Sequence, residues 1–214
     1  FEQKFGVSRE DMRRLLATAL SKGGEFSELF FEYRIANSVR MEEGIIRGSS
    51  ENISLGVGIR VIHGDQTGYA YTNDLTLEKM EQAALTSAAI AVNGSTVKIA
   101  DLTAEVSPLQ VYDLHLPLHD QDLTTKVDLI TRGHNTALSY DPVIKKVQSR
   151  LTDEIRYVTI VNSEGLMISD ARPQVRLFVT ATAEQGKTRN TGYSNAGGRV
   201  GLAFYQDRIT PERV

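Results

Sequence analysis

Ile53-Ser54-Leu55-Gly56-Val57-Gly58-Ile59-Arg60-Val61 alternates a large apolar residue with a small or polar one throughout. A period of two marks a strand with one face in a core. Gly64-Asp65-Gln66-Thr67 follows as a turn, and Gly68-Tyr69-Ala70-Tyr71 reads as the returning strand. Upstream, Ile45 and Ile46 start a strand after Glu43-Gly44, a hairpin-type turn. Before that turn, Leu29, Phe31, Tyr33 and Ile35 share one face and Glu32 and Arg34 the other, with Val39 and Met41 beyond. Further upstream the period becomes helical. Met12, Leu15, Leu16, Ala19 and Leu20 follow the capping-box pattern Ser8-Arg9-Glu10-Asp11, and Gly23 ends the helix. Downstream, Thr76 caps a second helix with Leu77, Met80, Ala84, Ala88 and Ala91 on one face, stopped by Asn93-Gly94.

The stretch around 96–121 has no steady period, contains Pro108 and Pro117, and reads as a connector. The first pattern then recurs. Leu123, Val127, Ile130, His134 and Ala137 have helical spacing, ended by Asp141-Pro142. Val143, Val147 and Leu151 alternate with Lys146, Gln148 and Arg150. A second strand covers Ile155 to Val161, Asn162-Ser163-Glu164-Gly165 turns it, and Leu166 to Ile168 return. Val175, Leu177, Val179 and Ala181 alternate again, followed by a turn, by Asn190 to Ser194, by a glycine-rich bend and by a short strand at Val200 to Phe204. A helix with a four-strand meander therefore occurs twice, roughly 5–73 and 122–205. Internal duplication and two α+β halves with shared turn chemistry both fit. Runs of strands with helices set apart imply an α+β fold, helices packed on antiparallel or mixed sheets. The expected sub-units are 1–95 and 122–206, joined by connector 96–121.

Apolar residues make up 41% of the 214 and charged residues 24%, a composition that sustains a core and argues against disorder. The 24 Lys and Arg stand against 27 Asp and Glu, for a net charge of −3, with no basic block. Nucleic acid is therefore not an expected partner. The absence of cysteine excludes disulfides, thiolate metal sites and Cys nucleophiles within these residues, and suits a reducing, cytoplasmic setting. No apolar run approaches the ~20 residues of a membrane helix, so no membrane partner is expected. The chain starts at Phe1, and Thr210-Pro211-Glu212 has the pattern of a helix start. Both features suggest the front portion of a longer polypeptide.

Single motifs do not build a catalytic centre. Ala181-Thr-Ala-Glu-Gln-Gly186-Lys187-Thr188 approaches a phosphate-binding loop, but no helical period follows, and a hairpin turn explains Gly186-Lys187 better. Gly192-Tyr193-Ser194-Asn195-Ala196 approaches a nucleophile elbow, yet reads as a polar glycine-rich loop. His115-x-x-x-His119, near Asp120 and Asp122, has the spacing of two helical ligands, but Pro117 between them opposes a helix. His63 and His134 read as strand-end and helix-face residues, and Glu42, Glu43 and Glu105 as scattered acids. No catalytic residue and no metal ligand are expected in this chain.

Four longer blocks, in register, carry a resemblance. They are Val39-Arg-Met-Glu42-Glu43-Gly44-Ile45-Ile46-Arg47, Gly56 to Tyr71, Asp170-Ala-Arg172-Pro173-Gln-Val175-Arg176-Leu177, and Arg189-x-x-Gly192-x-Ser194-x-x-Gly197-Gly198-Arg199-x-Gly201. Together they resemble the TldD branch of the TldD/PmbA family from about residue 8 to 206. Asn195-Ala196 departs from the family pattern, where further glycines are usual.

The resemblance implies the N-terminal domain of a TldD-like zinc metallopeptidase. In that family a later domain carries an H-E-x-x-x-H helix and a cysteine ligand, neither of which this chain contains. It also implies a PmbA/TldE-like partner subunit or self-association, contact with the protein's own C-terminal domain, and unfolded peptides as substrates. The expected role is to wall the peptide chamber and support the partner interface. A non-catalytic peptide-binding or scaffold module is the alternative, with a nucleotide binder behind it.

The residues expected to meet substrate or partner are Gly192, Ser194, Gly197, Gly198, Arg199, Tyr69 and Tyr71. The glycines, with Gly201, would allow positive φ and close approach, and Arg199 would face a carboxylate. The plainer reading is that the glycines shape a turn and Arg199 makes an internal salt bridge. Tyr69 and Tyr71 read as half-buried strand residues or as aromatic contacts, and Gly56 and Gly58 as sites of close packing.

Overall fold

The computed structural model describes residues 1–89, 99–105 and 122–214. It is α+β, with helices and a mixed, mainly antiparallel sheet. The strands are β1 (Phe26–Glu42), β2 (Ile45–His63), β3 (Gln66–Thr72), β4 (Thr103–Glu105), β5 (Ile144–Asn162), β6 (Leu166–Gln185) and β7 (Thr188–Gly198). Their order is β3-β2-β1-β5-β6-β4, with β7 also on β6. The β4–β6 pair is parallel, and β2–β3 and β6–β7 are antiparallel. At the β1–β2 turn both Glu43 (φ 51°) and Gly44 (φ 77°) are left-handed, which matches the twist of a two-residue hairpin.

Contacts divide the chain into two compact units that interleave along the sequence. The first comprises Phe1–Tyr33, Ser54–Leu109 and Tyr157–Ala171, and the second Arg34–Ile53, Gln110–Arg156 and Arg172–Val214, counting their described residues.

In the first unit, α1 (Glu2–Phe5) precedes α2 (Arg9–Leu20). The capping box forms as expected: Ser8 Oγ accepts from Asp11 N at 3.1 Å, and Ser8 N donates to Asp11 Oδ2 at 2.9 Å. Met12, Leu15, Leu16 and Ala19 pack on Leu29 and Phe31 of β1 and on Val57, Ile59 and Val61 of β2. The helix α3 (Leu77–Ala88) adds Met80, Ala83 and Ala84 to this core. Each fully buried aliphatic side chain contributes about 1.5–3 kcal/mol, so this contiguous cluster is the unit's main source of stability. The first residues join it through Phe1, whose ring centroid is 5.2 Å from that of Phe31.

In the second unit, α4 (Leu123–Ser139) covers the face formed by Val147 and Leu151 of β5 and Leu177 and Val179 of β6. Two polar links tie it down. Lys126 Nζ lies 3.0 Å from both Asp153 carboxylate oxygens, and Asn37 Nδ2 donates to Oδ1 at 3.0 Å. His134 Nδ1 is 3.4 Å from Ser149 Oγ. A short helix, α5 (Phe204–Asp207), follows β7, and Tyr205 donates its hydroxyl proton to Ala196 O at 2.8 Å. A 3₁₀ turn at Pro211–Arg213 answers the helix-start pattern at Thr210, and Arg132 grips Glu212 with two hydrogen bonds of 2.6 and 3.1 Å.

The structure corrects several expectations. The helices α2 (Arg9–Leu20) and α4 are each followed by three strands, not four, because 45–63, 144–162 and 166–185 are single strands. Residues 188–198 form one strand that takes in Gly197 and Gly198, the expected bend follows at Arg199 and Val200, and Val200 to Phe204 form no strand. On α4, Leu123 is exposed and Lys126 takes a buried place on the apolar face. Most of the connector, Pro108 and Pro117, and the positions Ala91 and Asn93-Gly94 expected to end α3, lie outside the described residues.

Candidate functional site

Tyr69 and Tyr71 stand on β3, opposite Arg60 and Gly58 of β2. They are 62% and 78% exposed, which corrects the half-buried reading. Gly58 explains their arrangement. A Cβ there would collide with the Tyr69 hydroxyl, so the phenol lies across the bare backbone. Gly56 is constrained by backbone, since a Cβ would sit 2.8 Å from Thr72 O. The close-packing reading of these two glycines therefore holds. Beside the tyrosines runs a groove of about 310 Å³, bordered by Phe30, Leu55 and Gly56. Its surface is aromatic and apolar, suited to packing against side chains rather than to transferring protons.

Gly192 to Gly198 lie on β7, in the second unit, whereas Tyr69 and Tyr71 belong to the first. In the β6–β7 register Gly192 faces Ala181, Ser194 faces Val179, and Gly197 faces Arg176. Gly192, Gly197 and Gly198 are strand residues without positive φ, so that expectation fails. Close approach is real only at Gly197, where a Cβ would overlap the Val175 carbonyl; Gly192 has open space and Gly198 ordinary contact. Arg199 is exposed and forms no ion pair among the described residues, so the internal salt bridge is not found. Gly192 and Ser194 border a groove of about 410 Å³ with Tyr140, Tyr193, Val179 and Pro211.

Gly186 (φ 59°) and Lys187 form the turn between β6 and β7, with Gln185 paired to Thr188. A phosphate loop needs a helix directly after its glycines, and here a strand follows, so the nucleotide-binding reading falls. The nucleophile-elbow geometry fails for the same reason, since Ser194 sits inside β7.

His63 Nδ1 lies 3.9 Å from Glu25 Oε1, and His134 is fully buried with only Ser149 beside its Nδ1 and no partner at Nε2. Burial pushes the His134 pKa down. Glu42 lies 4.0 Å from Arg47, Glu43 occupies the hairpin turn, and Glu105 ends β4. Among the described residues no three His, Asp or Glu side chains converge as a metal would require. The donor set of the described residues does not fit a metalloprotease centre. His115, His119 and Asp120 lie outside the described residues, and Asp122 is the N-cap of α4. Sequence reading missed the buried Lys126–Asp153–Asn37 cluster. Its one signal was a lysine at helical spacing from Leu129 and Ile130. Among the described residues no helix is long and apolar enough to cross a membrane.

Comparisons with known proteins place this geometry. The sequence model of PmbA/TldA metallopeptidase domain 1 matches residues 27–91, and that of the PmbA/TldA metallopeptidase central domain matches 116–214. A "Metalloprotease TldD homolog" of Haemophilus influenzae is 30% identical over 183 residues, covering 85% of this chain and 38% of that protein. The chain thus spans about two fifths of the length of such relatives. Among solved structures, TldE from Thermococcus kodakarensis superposes with a TM-score of 0.68 at 15% identity, over 88% of this chain and 43% of that one. A Thermotoga maritima protein, described as a candidate modulator of a DNA gyrase, gives a TM-score of 0.72 at 20% identity, over 95% and 45%. Those likenesses establish a shared fold. With both family domains matched in order along its sequence, the chain belongs to the PmbA/TldD metallopeptidase family.

Proposed function

We propose that these residues form the N-terminal, non-metal region of a TldD-like zinc metallopeptidase that degrades or processes unfolded peptides in the cytoplasm. In this reading zinc belongs to the rest of the protein, its own C-terminal domain. The region described here helps wall a peptide chamber and supports contact with a PmbA/TldE-like subunit or a second copy. The observation that carries the reading is the ordered match to family domain 1 and central domain, in a chain spanning 38% of a metalloprotease relative. Two features support a role in binding. Tyr69 and Tyr71 expose aromatic area beside an apolar groove, and Tyr193, 81% exposed, does the same beside Gly192 and Ser194. Rigid aromatic groups of this kind give contact area at low entropic cost.

The test begins with the gene beyond the Val214 codon, which should encode an H-E-x-x-x-H segment. The whole protein, co-expressed with its partner subunit, should then hold stoichiometric zinc by elemental analysis and cleave an unfolded peptide. Tyr69→Ala/Tyr71→Ala in that whole protein should raise KM or weaken subunit association. A stop codon directly after Val214, or a whole protein without zinc and without cleavage, overturns the reading in favour of a peptide-binding scaffold.

A further inference from the structure

The two faces of β1, β5 and β6 in the second unit carry opposite chemistry. The helix α4 covers one face, where Val147, Leu151, Val175 and Leu177 are buried. Strand alternation places Arg34 and Arg40 of β1, Arg150 and Arg156 of β5 and Arg176 of β6 on the other. Two of these cations share one carboxylate: Arg34 Nε donates to Glu154 at 2.7 Å, and Arg156 Nη2 at 3.1 Å. Arg40, Arg150 and Arg176 are exposed, and none of the three forms an ion pair among the described residues. Arg150 Nε donates to Ser38 Oγ at 3.1 Å, which orients its guanidinium without neutralising it. The Arg176 guanidinium carbon lies 5.5 Å from the centroid of the Phe178 ring, which holds that side chain in place.

This cation excess is local, because the chain as a whole carries −3. A groove of about 360 Å³ opens on this face, bordered by Arg34 and Arg150, by Ser38, Ser50, Asn52, Thr152 and Gln174, and by two carboxylates already paired within the unit, Asp153 with Lys126 and Glu154 with Arg34 and Arg156. Hydroxyls and amides both donate and accept, as a peptide main chain requires. Single-stranded nucleic acid is held instead by stacking aromatics along a basic track, and the groove has no aromatic border. The occupant that matches both charge and hydrogen-bonding capacity is an acidic, extended polypeptide.

We infer that the open β1–β5–β6 face of the second unit binds an extended acidic polypeptide segment, with its carboxylates on Arg40, Arg150 and Arg176. Planar guanidinium groups suit carboxylates because they can pair with them bidentately. This inference goes beyond the metallopeptidase reading and stands without it, since its readout is binding rather than cleavage.

The test is fluorescence anisotropy with the full chain and a labelled peptide of alternating glutamate and serine. Binding is expected at low salt and should weaken as ionic strength rises, since opposite charges at a surface are screened. The triple variant Arg40→Ala/Arg150→Ala/Arg176→Ala should lose at least about tenfold in affinity, the sum of several modest charge pairs. A control triple with the same change in net charge, Arg9→Ala/Lys22→Ala/Lys79→Ala, should bind like the parent. All six side chains are exposed, so circular dichroism melts should report intact folds. Arg150→Glu should bind the glutamate peptide more weakly and a lysine–serine peptide more tightly than the parent does. Equal weakening by both triples reduces the effect to net charge and overturns the proposal. Absence of binding at low salt also overturns it, as does equal or tighter binding of single-stranded DNA of matched charge.

Discussion

Gly192 and Gly197 share β7, but their surroundings differ. Above Gly192 there is open space, whereas a methyl group on Gly197 would overlap the Val175 carbonyl of β6. A backbone oxygen cannot swing aside as a side-chain tip can, so Gly197→Ala must push the two strands apart. Overpacking of this kind costs about 1–3 kcal/mol. Gly197→Ala is expected to lower stability by about 2 kcal/mol in urea unfolding, while Gly192→Ala stays within about 0.5 kcal/mol of the parent. Equal effects of the two would show that close approach at Gly197 is not what the strand pair needs. Both residues read alike in the sequence, because a glycine's neighbours across a sheet depend on register.

At the scale of elements, α4 is anchored by an ion pair that is nearly closed to water: Lys126 is 5% exposed and Asp153 3%. Removing one partner from a buried pair leaves the other charge without compensation, at about 3–5 kcal/mol. Lys126→Met should therefore be severely destabilising. The double variant Lys126→Met/Asp153→Leu should recover most of that loss, because no charge is left stranded, although Asn37 loses its acceptor. A double-mutant cycle from urea unfolding checks this, and strictly additive losses would refute the coupling. Helical periodicity marks α4 as a helix and sets Lys126 on the apolar face with Leu129 and Ile130, but it names no partner for the charge. Its partner lies on β5, and only folding brings that carboxylate beneath the helix.

For the whole molecule, His134, Glu154 and Glu212 contribute to the response to acid, beside Asp11, Asp74 and Asp122, whose carboxyls are held below the usual range by local hydrogen bonds. His134 is buried without a charged partner, and burial depresses its pKa below the ordinary value near 6.5. The unfolded chain therefore binds a proton at His134 before the folded one does. The stability this group contributes is complete above about pH 6.5 and is lost as pH falls below that value. Burial opposes the ionisation of Glu154, but Arg34 and Arg156 hold its carboxyl below the usual range. The Arg132 hydrogen bonds hold Glu212 at about 2. Both carboxylates contribute stability that is present above about pH 4.3 and lost as the pH falls further. Denaturant unfolding across this range should show two descending limbs. His134→Gln should flatten the upper limb and leave the lower one, and an upper limb unchanged in that variant would discount the histidine.

Much of the architecture was legible in the chain itself. The capping box at Ser8, the two-residue turn at Glu43-Gly44 and the alternation from Val57 to Val61 are short-range consequences of backbone geometry, and each appears where expected. The family blocks were legible for the same reason, being runs of adjacent residues. Strand length was not: Arg47 to Asn52 offers no apolar alternation, yet β2 runs through it, because main-chain pairing needs no apolar side chain. The arginine face was half legible. Alternation assigns each arginine to a face of its own strand, but only the order β1-β5-β6 makes those strands neighbours. Local periods, caps and turns thus belong to the sequence alone, since they depend on residues within a few positions of one another. The tertiary fold decided the buried Lys126–Asp153 pair, the tight fit at Gly197 and the gathering of Arg40, Arg150 and Arg176. Each requires residues far apart in the chain to meet across strands whose adjacency no local pattern encodes.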